Sequence, residues 1–224
     1  MQPYLFPYIG YFQLIEKCDN FVFLDDVNYI KKGFINRNYF VDVHKKTFLH
    51  SMSVEKVSQN RHIREHNYSD KFILELRSLI DQKTSLHKYE TIKNYVKFLE
   101  SRFSQSTRTV SEINRLSIEW ILQLLDIKTK VTFSSDFKIQ KTGEGRIIEL
   151  CKLLGATQYI NSINGLHLYD LDNFARQNIE LTAFKPKLEP SEFEKHPLSI
   201  LHEITKYDLA REKIKLGCKI KGVS

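Results

Sequence analysis

At 224 residues, 42% hydrophobic and 27% charged, the chain has the size and balance of one soluble globular domain, or one and a half. No apolar run approaches the roughly 20 residues of a membrane-spanning helix, and the aromatic, proline-rich start lacks the basic and aliphatic regions of a signal peptide. Cys18, Cys151 and Cys218 are odd in number and far apart, which excludes a disulfide framework and a zinc pattern and points to the reducing cytoplasm.

Taken in order, Pro3 and Pro7 bar a helix from Met1 to Tyr8, since each lacks an N–H and drives the residue before it to extended backbone. Gly10 leads into Tyr11-Phe12-Gln13-Leu14-Ile15, the start of a helix or one apolar turn. This aromatic opening reads as a buried anchor or as the floor of a small-molecule pocket. Phe21-Val22-Phe23-Leu24 is a short buried strand ending in Asp25-Asp26. A polar, basic loop with interleaved aromatics runs from Val27 to Asn38, and Tyr39–Val43 with Thr47–Val54 form a hairpin around His44-Lys45-Lys46.

The middle third is helical and reads as an insert over 68–127 within a single domain of residues 1–224. Phe72, Ile73, Leu76, Leu79 and Ile80 follow helical spacing behind Ser69 or Asp70 as cap. Tyr89, Ile92, Val96, Leu99 and Phe103 mark a second helix, and Thr109-Val110-Ser111-Glu112 is a capping-box pattern opening a third. Strands at Lys130–Phe133, Thr157–Ile160 and Ile179–Phe184 then alternate with helices at Gly145–Leu154 and Leu171–Gln177. That alternation predicts an α/β fold, a mostly parallel sheet flanked by helices.

Net charge is +7 and the isoelectric point about 9.1. Such a field attracts phosphate-bearing metabolites, nucleic acid or an anionic carrier protein. The cations at Lys31-Lys32, Lys45-Lys46, Arg61/Arg64 and Arg211 to Lys221 lie among acids and no nucleic-acid motif accompanies them, so nucleic acid is the least favoured partner.

Ligands of open α/β sheets bind beyond the carboxyl ends of strands, which draws attention to Asp25 and Asp26. Successive strand residues face opposite ways, so the two can act together only if the strand has ended; a surface turn is the simpler reading. Lys31, Lys32 and Arg37 around Gly33 and Asn36 could hold phosphate or carboxylate, or be solvated surface. Asn161 to Asp170 follows a strand and precedes a helix, which fits either an anion site or a turn with Asp170 as N-cap. His62 and His66 stand four apart with no third ligand at matching spacing and with flanking arginines, so no metal is assigned. No nucleophile elbow or spaced Cys/His pair is present; His196, His202 and Cys151 have no assigned role.

Gln2-Pro3-Tyr4-Leu5-Phe6-Pro7-Tyr8-Ile9-Gly10-Tyr11-Phe12, Asp25-Asp26-Val27 and Ile30-Lys31-Lys32-Gly33-Phe34-Ile35-Asn36-Arg37-Asn38 closely resemble the WbqC-like family. Arg146-Ile147-Ile148, Gly155-Ala156, Tyr159-Ile160-Asn161-Ser162, Gly165, Leu168-Tyr169-Asp170, Phe174 and Leu198-Ser199-Ile200 extend the resemblance over almost the whole chain. It implies a place in bacterial O-antigen or related surface-polysaccharide synthesis, with glycine transfer onto an amino sugar as the role proposed for the family. The strand, aromatic turn and helix are also similar to nucleotide-binding ligases and nucleotidyltransferases, whose histidine signature is replaced here by Tyr8-Ile9-Gly10-Tyr11. Two departures stand out. Relatives usually carry a first strand before the aromatic motif, so either the start lies upstream or that strand is absent. They also tend to have aspartate where His202 stands.

The expected activity is amide formation between an activated glycyl or other acyl group, as a thioester or carrier-bound donor, and a nucleotide-linked amino sugar. Asp25 and Asp26 are the expected catalytic pair. Gln2, Tyr4, Tyr8, Gly10 and Tyr11 would line the substrate, with Lys31, Lys32, Asn36 and Arg37 on its phosphates or on a carrier. Arg146, Asn161, Ser162, Gly165, Tyr169 and Ser199 complete the expected binding set. Glycosyl transfer and non-catalytic binding of a carrier or partner are the alternatives.

Overall fold

The computed structural model describes residues 1–105, 108–188, 196–215 and 218–220; Lys221, the end of the basic run, lies outside them. The proline-bound opening is not regular structure, so its carbonyls need partners from elsewhere. Buried side chains and distant backbone supply them. Tyr11 donates its hydroxyl to the Gln2 carbonyl, Asn114 Nδ2 donates to Pro3, Asn38 Nδ2 donates to Phe6, and the Ile200 N–H donates to Pro7. Leu5 returns an N–H to the Ile35 carbonyl. Phe6 sits at φ +48, and Phe40 and Tyr95 rings meet it edge-on. The opening then enters helix α1 (Ile9–Glu16), buried along nearly its whole length.

Strand β1 (Asn20–Phe23) pairs in parallel with β4 (Lys130–Phe133), Phe23 opposite Phe133. Strands β2 (Arg37–Val41) and β3 (Thr47–Ser51) form the expected hairpin, whose turn is closed by Asp42 accepting from the His44 and Lys46 N–H groups. A third sheet has order β5-β6-β7, with β5 (Gln158–Ser162) parallel to β6 (Glu180–Lys185) and β7 (Cys218–Ile220) antiparallel to it. With helices α2 (Phe72–Arg77), α3 (Glu90–Gln105), α4 (Val110–Leu124), α5 (Gly143–Leu153), α6 (Leu171–Ala175), α7 (Ile200–Glu203) and α8 (Tyr207–Lys215), this is an α/β fold of short parallel pairs flanked by helices. Among the described residues, no helix is long and apolar enough to cross a membrane.

Some local expectations change. The helix predicted from Phe72 to Ile80 ends as α2 at Arg77 and widens into a π-helical turn, Ser78–Lys83, because Thr84 donates its hydroxyl back to the Leu79 and Ile80 carbonyls. Lys71, not Ser69 or Asp70, is the α2 N-cap residue; the Ser69 hydroxyl accepts from the Lys71 N–H and Asp70 pairs with Arg108. Thr109 is the N-cap residue of α4 but makes no side-chain cap bond, and Glu112 pairs with Arg115 instead. Asp170 does cap α6, accepting from Asp172 and Asn173 N–H groups.

Two apolar clusters form. The larger joins the N-terminal turn and α1 to β1, the hairpin and α2 through α4. The smaller lies under β5 and β6, with Ile147, Leu150 and Cys151 of α5 against Phe174, Ile179 and Leu181.

Candidate functional site

Parallel pairing brings the carboxyl ends of β1 and β4 side by side, so the residues just beyond Phe23 meet those just beyond Phe133. Strand β1 ends at Phe23, which frees Asp25 and Asp26 from strand alternation, and both carboxylates turn to Ser134 and Ser135. The Arg64 N–H holds the Asp25 carbonyl and the Ile63 N–H that of Val27, fixing the backbone of the pair from its other side.

Asp25 is 3% exposed. Its Oδ1 accepts from the Ser135 N–H at 3.1 Å and its Oδ2 from the Ser135 hydroxyl at 2.8 Å; Ser134 Oγ stands 3.3 Å from Oδ1. Burial pushes its carboxyl above the usual range, an effect partly offset by the Ser135 bonds and reinforced by the Asp26 charge. Asp26 accepts from Ser134 and from Arg146 Nη2 of α5, in an ion pair whose side chains are only 10% and 11% exposed. Burial acts to raise Asp26 as well, yet the Arg146 and Ser134 hydrogen bonds and the guanidinium charge outweigh it and hold the carboxyl below its usual range. Two adjacent carboxyls are thus driven apart in acidity by their environments, a pattern that assigns acid and base roles in enzymes. Arg146 Nε is buried with no partner among the described residues. Ser134 and Ser135 have no motif that marks them in the sequence. The strand-end rule finds them when it is applied to Lys130–Phe133 as well as to Phe21–Leu24.

A profile of the WbqC-like protein family matches residues 2–204. The chain belongs to the WbqC-like family. It is similar to an uncharacterized protein of Mycobacterium tuberculosis, 25% identical over 182 residues, covering 80% of this chain and 77% of the relative. No solved structure matches it.

Of the residues expected in the site of this WbqC-like chain, the structure brings Asp25, Asp26 and Arg146 together. Tyr11 is buried on Gln2, and Tyr8 precedes α1 with its ring so close over Gly10 that a β-carbon there would collide with it and with Pro186. Tyr4 is half-buried between the Tyr11 and Phe34 rings. Ser199 is buried, bridges Tyr8 and caps α7 by accepting from the Leu201 N–H. Asn36 bonds the Met52 carbonyl, and Arg37 Nε donates to the Gly33 carbonyl. Lys31 and Lys32 are exposed, and among the described residues no hydrogen bond or ion pair joins them to the carboxylates.

Asn161 accepts the Ser162 N–H and packs on Gly165, where a β-carbon would stand 2.8 Å from its Nδ2 and push that side chain aside. Tyr169 meets Tyr159 hydroxyl to hydroxyl at 3.3 Å. Asp170 caps the five-residue helix α6. His202 accepts the Val41 N–H on Nε2, and burial lowers it to about 4, leaving it neutral. His66 is used similarly, with Nε2 accepting from the Ser58 N–H and Nδ1 on the His62 carbonyl. Among the described residues, no three His, Cys, Asp or Glu side chains could hold a metal ion.

Proposed function

We propose that this WbqC-like protein is a transferase of bacterial surface-polysaccharide synthesis. It would join an activated glycyl or other acyl group to the amine of a nucleotide-linked amino sugar. One observation carries this reading. Asp25 is a buried carboxylate of raised pKa whose partners among the described residues are neutral donors, placed beside an ion pair at the carboxyl ends of two parallel strands. Such a group is a stronger base than a free aspartate and is suited to take a proton from a substrate.

In the reaction, the sugar nitrogen attacks the acyl carbon and forms the C–N bond while Asp25 accepts the nitrogen's proton. The bond to the donor's sulfur or carrier then breaks, and the proton passes to the leaving group. Arg146 keeps Asp26 ionised, and its Nε, which has no partner among the described residues, is a donor for the developing oxyanion. Lys31 and Lys32, exposed on the loop after β1, suit the diphosphate of the sugar nucleotide.

A second reading, binding of a carrier or partner without chemistry, draws on how closed the cluster is: Asp25 is 3% exposed and Ser134 fully buried. Incubation with acyl thioesters and amino-sugar nucleotides, followed by mass spectrometry, separates the readings. Acylated sugar nucleotide supports transfer, release of free nucleotide indicates glycosyl transfer, and saturable binding without product indicates a carrier-binding role. Turnover unchanged in Asp25→Asn would remove Asp25 from the mechanism.

A further inference from the structure

Strand alternation sends Asn38 and Phe40 into the core and leaves Arg37 and Tyr39 together on the other face of β2. Tyr39 belongs to a row of rings drawn from distant parts of the chain. Phe34 lies 6.2 Å from it and Tyr4 lies 6.4 Å from Phe34, while His196 stacks on Tyr39 at 4.3 Å with 9° between the planes. Tyr8 closes the group. Its backbone bridges Ser199, whose N–H donates to the Tyr39 carbonyl, and its phenol adds to burial in raising the pKa of Tyr4.

These rings are not core. Phe34 is 41% exposed, His196 is exposed, and Tyr4, Tyr8 and Tyr39 are half-buried. A grouped, exposed aromatic surface of this kind marks a binding site more often than a lone exposed ring does. The turn before Phe34 is tightly made: the Gly33 N–H donates to the Ile30 carbonyl at 3.2 Å, Arg37 Nε holds the Gly33 carbonyl at 2.8 Å, and Lys32 sits at φ +62, a conformation uncommon for a residue with a side chain. That turn also carries the exposed Lys31 and Lys32. Among the described residues, no ion pair joins Lys31, Lys32 or Arg37 to a carboxylate.

We propose that this aromatic row is a base subsite, where the heteroaromatic base of a nucleoside diphosphate stacks on Phe34 while its phosphates meet Lys31, Lys32 and Arg37. The proposal rests on the sugar-nucleotide reading above and names the part of that substrate held here. Flat rings suit a base because every base offers a π-face, and the three cations suit phosphate, which a free sugar lacks. In the chain, Lys31 and Lys32 stand between Asp26 and Phe34, the order in which a sugar nucleotide carries its diphosphate between sugar and base.

The test is calorimetric binding of UDP, CDP, GDP, ADP and deoxythymidine diphosphate, with pyrophosphate and ribose 5-phosphate as base-free controls. At least one nucleotide should bind tenfold or more tighter than either control. Phe34→Leu keeps apolar cover without a π-face; it should weaken that nucleotide at least fivefold and leave pyrophosphate unchanged, and Phe34→Trp should restore the affinity. Nucleotides no tighter than pyrophosphate overturn the proposal, as does equal nucleotide binding in Phe34→Leu. Equal competition by methyl glycosides, or tighter and steeply salt-dependent binding of single-stranded oligonucleotides, overturns it in favour of a sugar or nucleic-acid surface. The transferase reading fails separately: base binding without acylated product sinks that reading alone, and acylated product with the same sugar-nucleotide KM in Phe34→Leu sinks the base subsite alone.

Discussion

Replacing Arg146 by Met tests whether the carboxylate cluster is held by a buried charge pair. The substitution keeps most of the side-chain length and removes the guanidinium, so Asp26 retains Ser134 as its partner at a site where only 10% of its side chain is exposed. Removing one member of a buried pair costs about 3–5 kcal/mol, because the other charge is left uncompensated. For a chain of this length each kcal/mol moves the melting temperature by about 2–4 °C, so Arg146→Met should melt about 6–20 °C lower. Asp26→Leu combined with Arg146→Met should recover much of that loss, since a well-packed apolar pair can replace a buried ion pair at little cost. Thermal melts at pH 7 on the two single variants and the double variant complete the cycle. A loss below about 1 kcal/mol in Arg146→Met, the value of an exposed pair, would refute the argument.

The same physics sets the behaviour of three other buried groups. Because Asp25 titrates above its usual range when folded, the folded state binds that proton more tightly than the unfolded chain, and stability from this group falls as pH rises through the folded value. Asp25→Asn should therefore melt at or above the parent temperature at pH 7, with the difference fading below about pH 4; a large loss at pH 7 would contradict this. His202 is lowered to about 4 from 6.5, so its contribution is intact above pH 6.5 and declines as pH falls towards 4, by at most about 3 kcal/mol. Denaturant melts of His202→Gln across that window should show a shallower pH dependence, and an unaltered slope would rule the imidazole out. Asn114→Leu strips the Pro3 carbonyl and the Tyr68 hydroxyl of a buried partner and should cost about 2–4 kcal/mol by denaturant unfolding. A loss under about 1 kcal/mol would mean that other groups replace it.

Periodicity and strand chemistry made much of the scaffold legible. Lys130–Phe133 has the predicted bounds, Phe21–Leu24 is displaced by one residue, and the hairpin turns at the expected His44-Lys45-Lys46. Asp170 caps because its partners are two and three residues away, within reach of local reasoning. The Thr109–Glu112 pattern is equally local but loses to a competitor: Arg115, three residues on, takes Glu112. The strand-end rule alone marks Ser134 and Ser135 as candidates, but only a parallel register sets them against Asp25, which lies more than a hundred residues earlier.

The aromatic opening shows why local reading stops where it does. Pro3 and Pro7 announce a segment without regular hydrogen bonds, and that much can be argued from the residues themselves. The bonds that replace them come from Asn38, Asn114 and Ile200, none of which has a local pattern that marks it. Polar residues in such places resemble surface residues in sequence, yet Asn114 is fully buried and Asn38 nearly so. They are costly to bury unless each bond is made, so the fold of this opening depends on the hairpin, α4 and α7 all arriving in register. Of its tyrosines, Tyr11 is bound into the anchor through Gln2, while Tyr4 stands half-buried beside the exposed Phe34.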